Sequence, residues 1–216
     1  AAQATWIAVV GSDAAGDAVV ALVAGSDVTA QAQASHALID LTKRASTLDF
    51  TGVKAQRVLS GDKVASAIRD YLLIGALLTA AEAVGSTSAC LAGIVDYLKT
   101  RKQFGKLIGS FQALKHPTVD IYVGMEHSRS LVYHASSEID DGPLSTEAEV
   151  ACRMAKAKAS DTIQYAGDRS VQFHGGFGFT WECDSSLFIR RAAWSQQQFG
   201  DAMHHRKRLA PLLLDA

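Results

Sequence analysis

Short Val-rich runs give way near residue 61 to long Ala- and Leu-rich stretches. Residues 6–10 (Trp-Ile-Ala-Val-Val) and 18–23 (Ala-Val-Val-Ala-Leu-Val) flank Gly11 to Asp17, a turn-rich segment, and the three pieces together read as a β-hairpin. Further strands are expected near 28–33, 46–50 and 55–59, the last two parted by Thr51-Gly52. All are antiparallel in character, yet they are too few to close a sandwich or a barrel. The chain also opens at Ala1, almost directly onto a strand, and the expectation is a fragment with further segments ahead of it.

Beyond Gly61, Ala and Leu rise and apolar positions recur at three- and four-residue spacing, which is the pattern of helices. Four are expected, over 63–101, 111–139, 147–172 and 184–209. Ser110 is placed to cap the second, and Thr146-Glu147-Ala148-Glu149 has the spacing of a capping box at the start of the third. Pro117 should bend the second helix or delay its start. Long helices joined by short loops stack antiparallel. The expected fold is therefore mainly α: a long antiparallel four-helix bundle (62–216) preceded by a partial antiparallel β domain (1–61).

Of 216 residues, 48% are hydrophobic and 20% charged, enough to bury a core, and the formal net charge is −1. Cationic and anionic residues alternate without a sustained basic run, so no nucleic-acid partner is expected. No uninterrupted apolar run reaches about 18 residues, so no membrane association is expected either. Cys90, Cys152 and Cys183 are odd in number, far apart and without a C-x-x-C pair, which argues against disulfides and zinc and fits a reducing cytoplasm.

Two segments carry candidate chemistry: Arg101-Lys-Gln-Phe-Gly105 and Gln172-Phe-His-Gly-Gly-Phe-Gly178, each at the end of an expected helix. Arginine offers phosphate a planar fork of donors, phenylalanine a flat apolar face, glutamine a two-way amide, and glycine a close backbone approach. Each has a plainer reading. Taken alone, the plainer reading is favoured for both: an interhelical turn over a phosphate cradle at a helix N-terminus for the glycines, and a solvated helix end with one packed ring for Arg101 and Phe104. A Rossmann fingerprint is absent. For a di-iron site only Asp201-Ala-Met-His204 has the needed spacing, without a second copy, so no metal is expected. His204 to Arg208 reads as an exposed cationic last turn.

The order of these pieces, ending in Val171-Gln-Phe-His-Gly-Gly-Phe-Gly-Phe-Thr-Trp-Glu182 and Arg190-Arg191-Ala192, resembles the flavin-dependent acyl-CoA dehydrogenases across essentially the whole chain. The resemblance implies that the chain corresponds to the last strands of the family's β domain plus its C-terminal bundle. It implies FAD as cofactor, with Arg101 near the pyrophosphate of a neighbouring subunit's flavin, Gln103 and Phe104 beside it, Gln112 further along, and Gln172, Gly175 and Gly176 against the adenosine half. An acyl-CoA substrate and an electron acceptor flavoprotein are implied as partners.

The family's reaction removes an α-proton with a carboxylate base as hydride passes to the flavin. Counting from Arg190-Arg191-Ala192, the position of that base is Phe199, in Phe199-Gly200-Asp201; a second family position falls at Gly75. Neither accepts a proton, so no catalytic residue is expected here. Glu82 is the nearest carboxylate on the first bundle helix, and Asp201 adjoins the vacated position. The segments 179–184 and 199–206 resemble bacterial acyl-CoA dehydrogenases of steroid side chains, which are α2β2 heterotetramers with the glutamate on one subunit type. The chain is then expected to be the base-less subunit. A non-catalytic assembly subunit, or a homomeric acyl-CoA oxidase or nitroalkane-oxidase-like enzyme with another base, are the competing readings.

Overall fold

Asp13 closes the first turn: its Oδ1 accepts from the backbone N–H of Ala15 (2.9 Å) and Asp17 (3.0 Å) while Gly16 takes a positive φ. This joins β1 (Trp6–Ser12) to β2 (Ala18–Ala24) as an antiparallel pair running from Trp6↔Ala24 to Ser12↔Ala18. On its other edge β2 pairs antiparallel with β5 (Arg57–Ser60). The computed structural model describes residues 4–29 and 33–214.

The strand expected over 28–33 is not formed as such. Gly25–Thr29 is a short helix, α1, with Asp27 in its first turn and Val28 fully buried, and β3 begins only at Gln33. Residues 30–32 of the expected strand lie outside the described residues. β3 (Gln33–His36) pairs antiparallel with β4 (Ala45–Leu48), which stops before Asp49 turns the chain by accepting from the Thr51 N–H (2.9 Å).

The chain divides into two compact units, Ala1–Leu72 and Leu73–Ala216. α2 (Asp62–Thr100) is continuous across the division. Within the second unit α2 leads through a small hairpin to α3 (Gln112–Ser137) and α4 (Thr146–His174). Ser145 caps α4, one residue before the expected box, its Oγ accepting from Ala148 N–H at 3.1 Å. Ser110 does not cap α3; it ends a 3-10 turn and donates to the Leu107 carbonyl, and α3 runs through Pro117 with no delay in its start.

The fourth expected helix is two. α5 (Ser185–Gln197) ends where Phe199 and Gly200 take φ of 55° and 93°, and α6 (Ala202–Leu214) starts afresh with Asp201 Oδ1 accepting from His204 N–H at 2.7 Å. Two consecutive residues of left-handed backbone end a helix, and an Asp N-cap begins another. His204 to Arg208 therefore lies near the start of α6, and His205 is buried instead of exposed.

Small residues set how closely these helices approach. Ala148, Ala151, Ala155 and Ala159 form a buried stripe along α4, in one apolar cluster with Leu73, Leu77 and Ala80 of α2 and Val132 and Ala135 of α3. A Cβ added to Gly167 of α4 would lie 2.9 Å from the Ile189 Cα of α5, so α5 can seat there only against a glycine. A second cluster joins Cys90, Ile94 and Leu98 of α2 to Ile121, Ala166 and Phe173. α2 has a window of mean hydropathy 1.5, long and apolar enough to cross a bilayer by length and composition. A third of that window is buried, where α2 walls both clusters, while Leu72, Ile74 and Leu78 on its other face are exposed.

Candidate cofactor and base site

The end of α2 turns sharply. Lys102–Gln103 (β6) pairs with Lys106–Leu107 (β7), leaving Phe104 and Gly105 as a two-residue tip with φ of 53° and 76°. Both central residues at positive φ is the hairpin turn whose twist suits its strands. Glycine tolerates that backbone, whereas a phenylalanine strains in it, and the Phe104 ring is also 89% exposed. Strain together with an exposed ring marks a surface formed to meet something outside the chain. The Ile108 N–H donates to the Arg101 carbonyl (2.9 Å), which fixes the base of the hairpin.

Arg101, Gln103 and Phe104 share one open cavity of about 800 Å³ with Gly175 and Gly176. Tyr97, Phe111, His174 and Phe177 also line it. The rings of Tyr97 and His174 stack with centroids 4.2 Å apart, and Phe104 meets Phe111 edge-on at 6.0 Å. His174 Nδ1 lies 2.7 Å from the Ser170 carbonyl, so Nδ1 carries the proton and donates. Sequence reasoning passed over Tyr97 and His174 as site residues. Their signals were position: Tyr97 precedes Arg101 by one helical turn, and His174 adjoins Gly175.

Gln112 and Gln172 are exposed and do not line this cavity. The glycine segment is a 3-10 turn, Gly175–Phe179, following the C-terminus of α4, and the next helix starts only at Ser185. The phosphate cradle at a helix N-terminus is thus excluded in favour of the interhelical turn. Since α2 and α4 both end at this site, their dipoles bring partial negative charge to it, and Arg101 is the cation able to hold a phosphate there. A Cβ on Gly175 or Gly176 would meet nothing within 4 Å, so the backbone there faces open space. Those dipoles by themselves disfavour an anion, so a phosphate beside a flat ring could be held here only through Arg101.

The second part of the site surrounds the turn between α5 and α6. A Cβ added to Gly75 would lie 2.3 Å from Cε1 of Phe199 and 2.6 Å from its Cδ1 and Cζ. The two positions at which a base was sought therefore face each other, and an aromatic ring fills the space between them. Glu82 is paired with Arg191 (2.5 Å), and Asp201 is the N-cap of α6. Behind the turn, His205 Nε2 donates to the Phe199 carbonyl (2.9 Å), and Lys156 Nζ donates to the Ser195 carbonyl and to Ser160 Oγ, both at 3.0 Å.

His205 and Lys156 are each almost fully buried. Burial pushes the His205 imidazole down to about 4, opposed by the bond to Phe199 and helped by the charges of Lys156 and Arg153. Its Nδ1 is buried without a hydrogen-bond partner. Burial likewise lowers the Lys156 ammonium to about 8, which the charge of Asp201 partly offsets. Nothing in the sequence marks Lys156, and His205 reads there only as part of an exposed cationic turn.

Residues 65–211 match the family model described as the acyl-CoA dehydrogenase C-terminal domain. The chain belongs to the acyl-CoA dehydrogenase family. An acyl-CoA dehydrogenase of Mycolicibacterium smegmatis, IpdE2, is 39% identical over 134 residues, covering 62% of this chain and 40% of the relative. The IpdE2 of Mycobacterium tuberculosis is 41% identical over 122 residues, 56% of this chain and 36% of its own length. The chain thus spans well under two thirds of these relatives. Among solved structures, the ChsE4-ChsE5 complex from Mycobacterium tuberculosis superposes with a TM-score of 0.84 at 24% identity, over 99% of this chain and 56% of that one. A glutaryl-coenzyme A dehydrogenase gives 0.88 at 24% identity, over 99% and 56%. At these identities the superpositions establish a common fold.

Proposed function

We propose that this chain is part of a subunit of an FAD-dependent acyl-CoA dehydrogenase of the steroid side-chain type, which lends FAD and oligomer contacts to an assembly whose catalytic base lies on a partner subunit. The observation that carries the base-less reading is the contact of Phe199 with Gly75. Both candidate base positions meet there without a carboxylate, while Glu82 and Asp201 are engaged elsewhere. The kinship with IpdE2 supports an acyl-CoA substrate. A steroid substrate and a two-protein assembly are supported by neighbours described as a steroid acyl-CoA dehydrogenase and as the ChsE4-ChsE5 complex.

The residues present fit FAD. Arg101 would pair with the pyrophosphate, Phe104, Tyr97 and His174 would offer flat faces, and the open backbone at Gly175 and Gly176 would admit the adenosine end. When bound, the flavin would supply hydride acceptance, and an electron acceptor flavoprotein is the partner that chemistry calls for. This chain's own part is to hold and orient. Neither Phe199 nor Gly75 can take a proton, and the carboxylate of Asp201 is engaged as the N-cap of α6, so α-proton abstraction falls to a carboxylate of the partner.

The test is purification of the full-length protein alone and together with its partner subunit. Flavin absorbance and acyl-CoA oxidation are expected in the joint assembly and no oxidation in the single protein. Full activity of the single protein as a homomer would overturn the proposal, and a joint assembly without flavin would favour an assembly subunit.

A further inference from the structure

The turn that carries Phe199 is held more firmly than a lost catalytic position requires. Phe199 and Gly200 both have left-handed backbone, and for phenylalanine that conformation persists only where its surroundings impose it. Those surroundings come from three helices. From α4, Lys156 donates to the last turn of α5 at the Ser195 carbonyl; from α6, His205 donates to the Phe199 carbonyl; and Asp201 caps α6 through the His204 N–H. In front, the ring lies in the notch that α2 leaves at Gly75, so close that even a methyl group there would overlap it.

Ring and notch are thus complementary. A larger residue at 75 would expel the ring, and a smaller one at 199 would leave a gap between α2 and the turn. We propose that Phe199 is a specificity-determining plug, whose ring closes the space between Gly75 and the α5–α6 turn to an acyl group, so that acyl-CoA is taken only at the partner subunit's site. The inference rests on the dehydrogenase reading above and adds to it a steric role: this chain excludes the acyl group as well as lacking a base. Lys156 and His205 act through the turn they hold and are positioning residues.

The experiment uses the flavin-loaded assembly of full-length protein and partner, titrated calorimetrically with a 2-enoyl-CoA, a product-class ligand that is not turned over. The expected result is binding at the partner's sites alone for the wild type, and a twofold rise in sites for Phe199→Ala. Phe199→Tyr keeps a ring and is expected to keep the wild-type ratio. If Phe199→Ala fails to assemble, Phe199→Leu is titrated in its place and is expected to add a weaker second set of sites. The plug is overturned, with the dehydrogenase reading intact, if flavin and turnover are normal but the number of sites is unchanged in the smaller variants, or if the wild type already binds at every chain. If no protein binds the enoyl-CoA at all, the dehydrogenase reading falls and the plug with it.

Discussion

Gly75→Ala should change the sign of its effect according to what stands at position 199. Within a helix, alanine is better than glycine by about 1 kcal/mol, because glycine loses more backbone entropy on folding. Against that, the new methyl carbon would lie 2.3 Å from Cε1 and 2.6 Å from Cδ1 and Cζ of Phe199. Carbon atoms rest at roughly 3.5–4.0 Å, so the ring must retreat by more than an ångström, yet its carbonyl is tied to His205 and its helix end to Lys156. Overpacking of this kind costs about 1–3 kcal/mol. In the wild type the propensity gain is cancelled or exceeded, and the net change runs from about zero to a loss of about 2 kcal/mol. In a Phe199→Ala background the obstacle is gone, and the same substitution should stabilise by about 1 kcal/mol. The coupling across the double-mutant cycle is therefore about 1–3 kcal/mol. Urea unfolding of the four full-length proteins, followed by circular dichroism, measures it. Equal stabilisation by Gly75→Ala in both backgrounds would refute the reasoning.

Acid should weaken the fold through His205: its folded value of about 4 lies below the ordinary 6.5. Between those values the unfolded chain binds the proton and the folded chain does not, so stability falls as pH drops through this window, by about 3 kcal/mol in all. His205→Gln keeps a donor for the Phe199 carbonyl and should flatten that slope in pH-dependent unfolding. Lys156 works at the other end: its folded value of about 8 lies below 10.5, so the unfolded chain again binds more protons and stability should rise as pH climbs from about 8 towards 10.5. Lys156→Met should abolish the rise. Arg101→Ala should weaken flavin retention in the full assembly ten- to a hundredfold, as expected for losing a charge-assisted contact of about 1.5–3 kcal/mol, with Arg101→Lys between the two. Burial raises the Cys90 and Cys152 thiols to about 11, so a maleimide at neutral pH should label neither until the chain is unfolded.

The sequence by itself determined the elements whose causes are local. Helix periodicity marked out α2, α3 and α4 to within a few residues, and turn chemistry at Gly11 to Asp17 marked the first hairpin. The likeness of Arg101 to Gly105 and Gln172 to Gly178 to known dehydrogenases pointed to two segments that the fold brings to one cavity, apart from Gln112 and Gln172. Gly200-Asp201 was also there to be read as a helix stop followed by a cap, but the apolar pattern runs through it and outweighed it. Other features were decided only by tertiary structure. That Phe199 faces Gly75, that Lys156 supports the end of α5, and that His205 is buried in α6 depend on which helix faces meet and how closely, and small residues such as Gly167 set that distance. A charge pattern on one helix carries no record of the neighbour that buries it. The physical reason is one of range: backbone preference acts over a few residues, whereas packing selects partners far apart in the chain, and the meaning of Phe199 lies in such a partner.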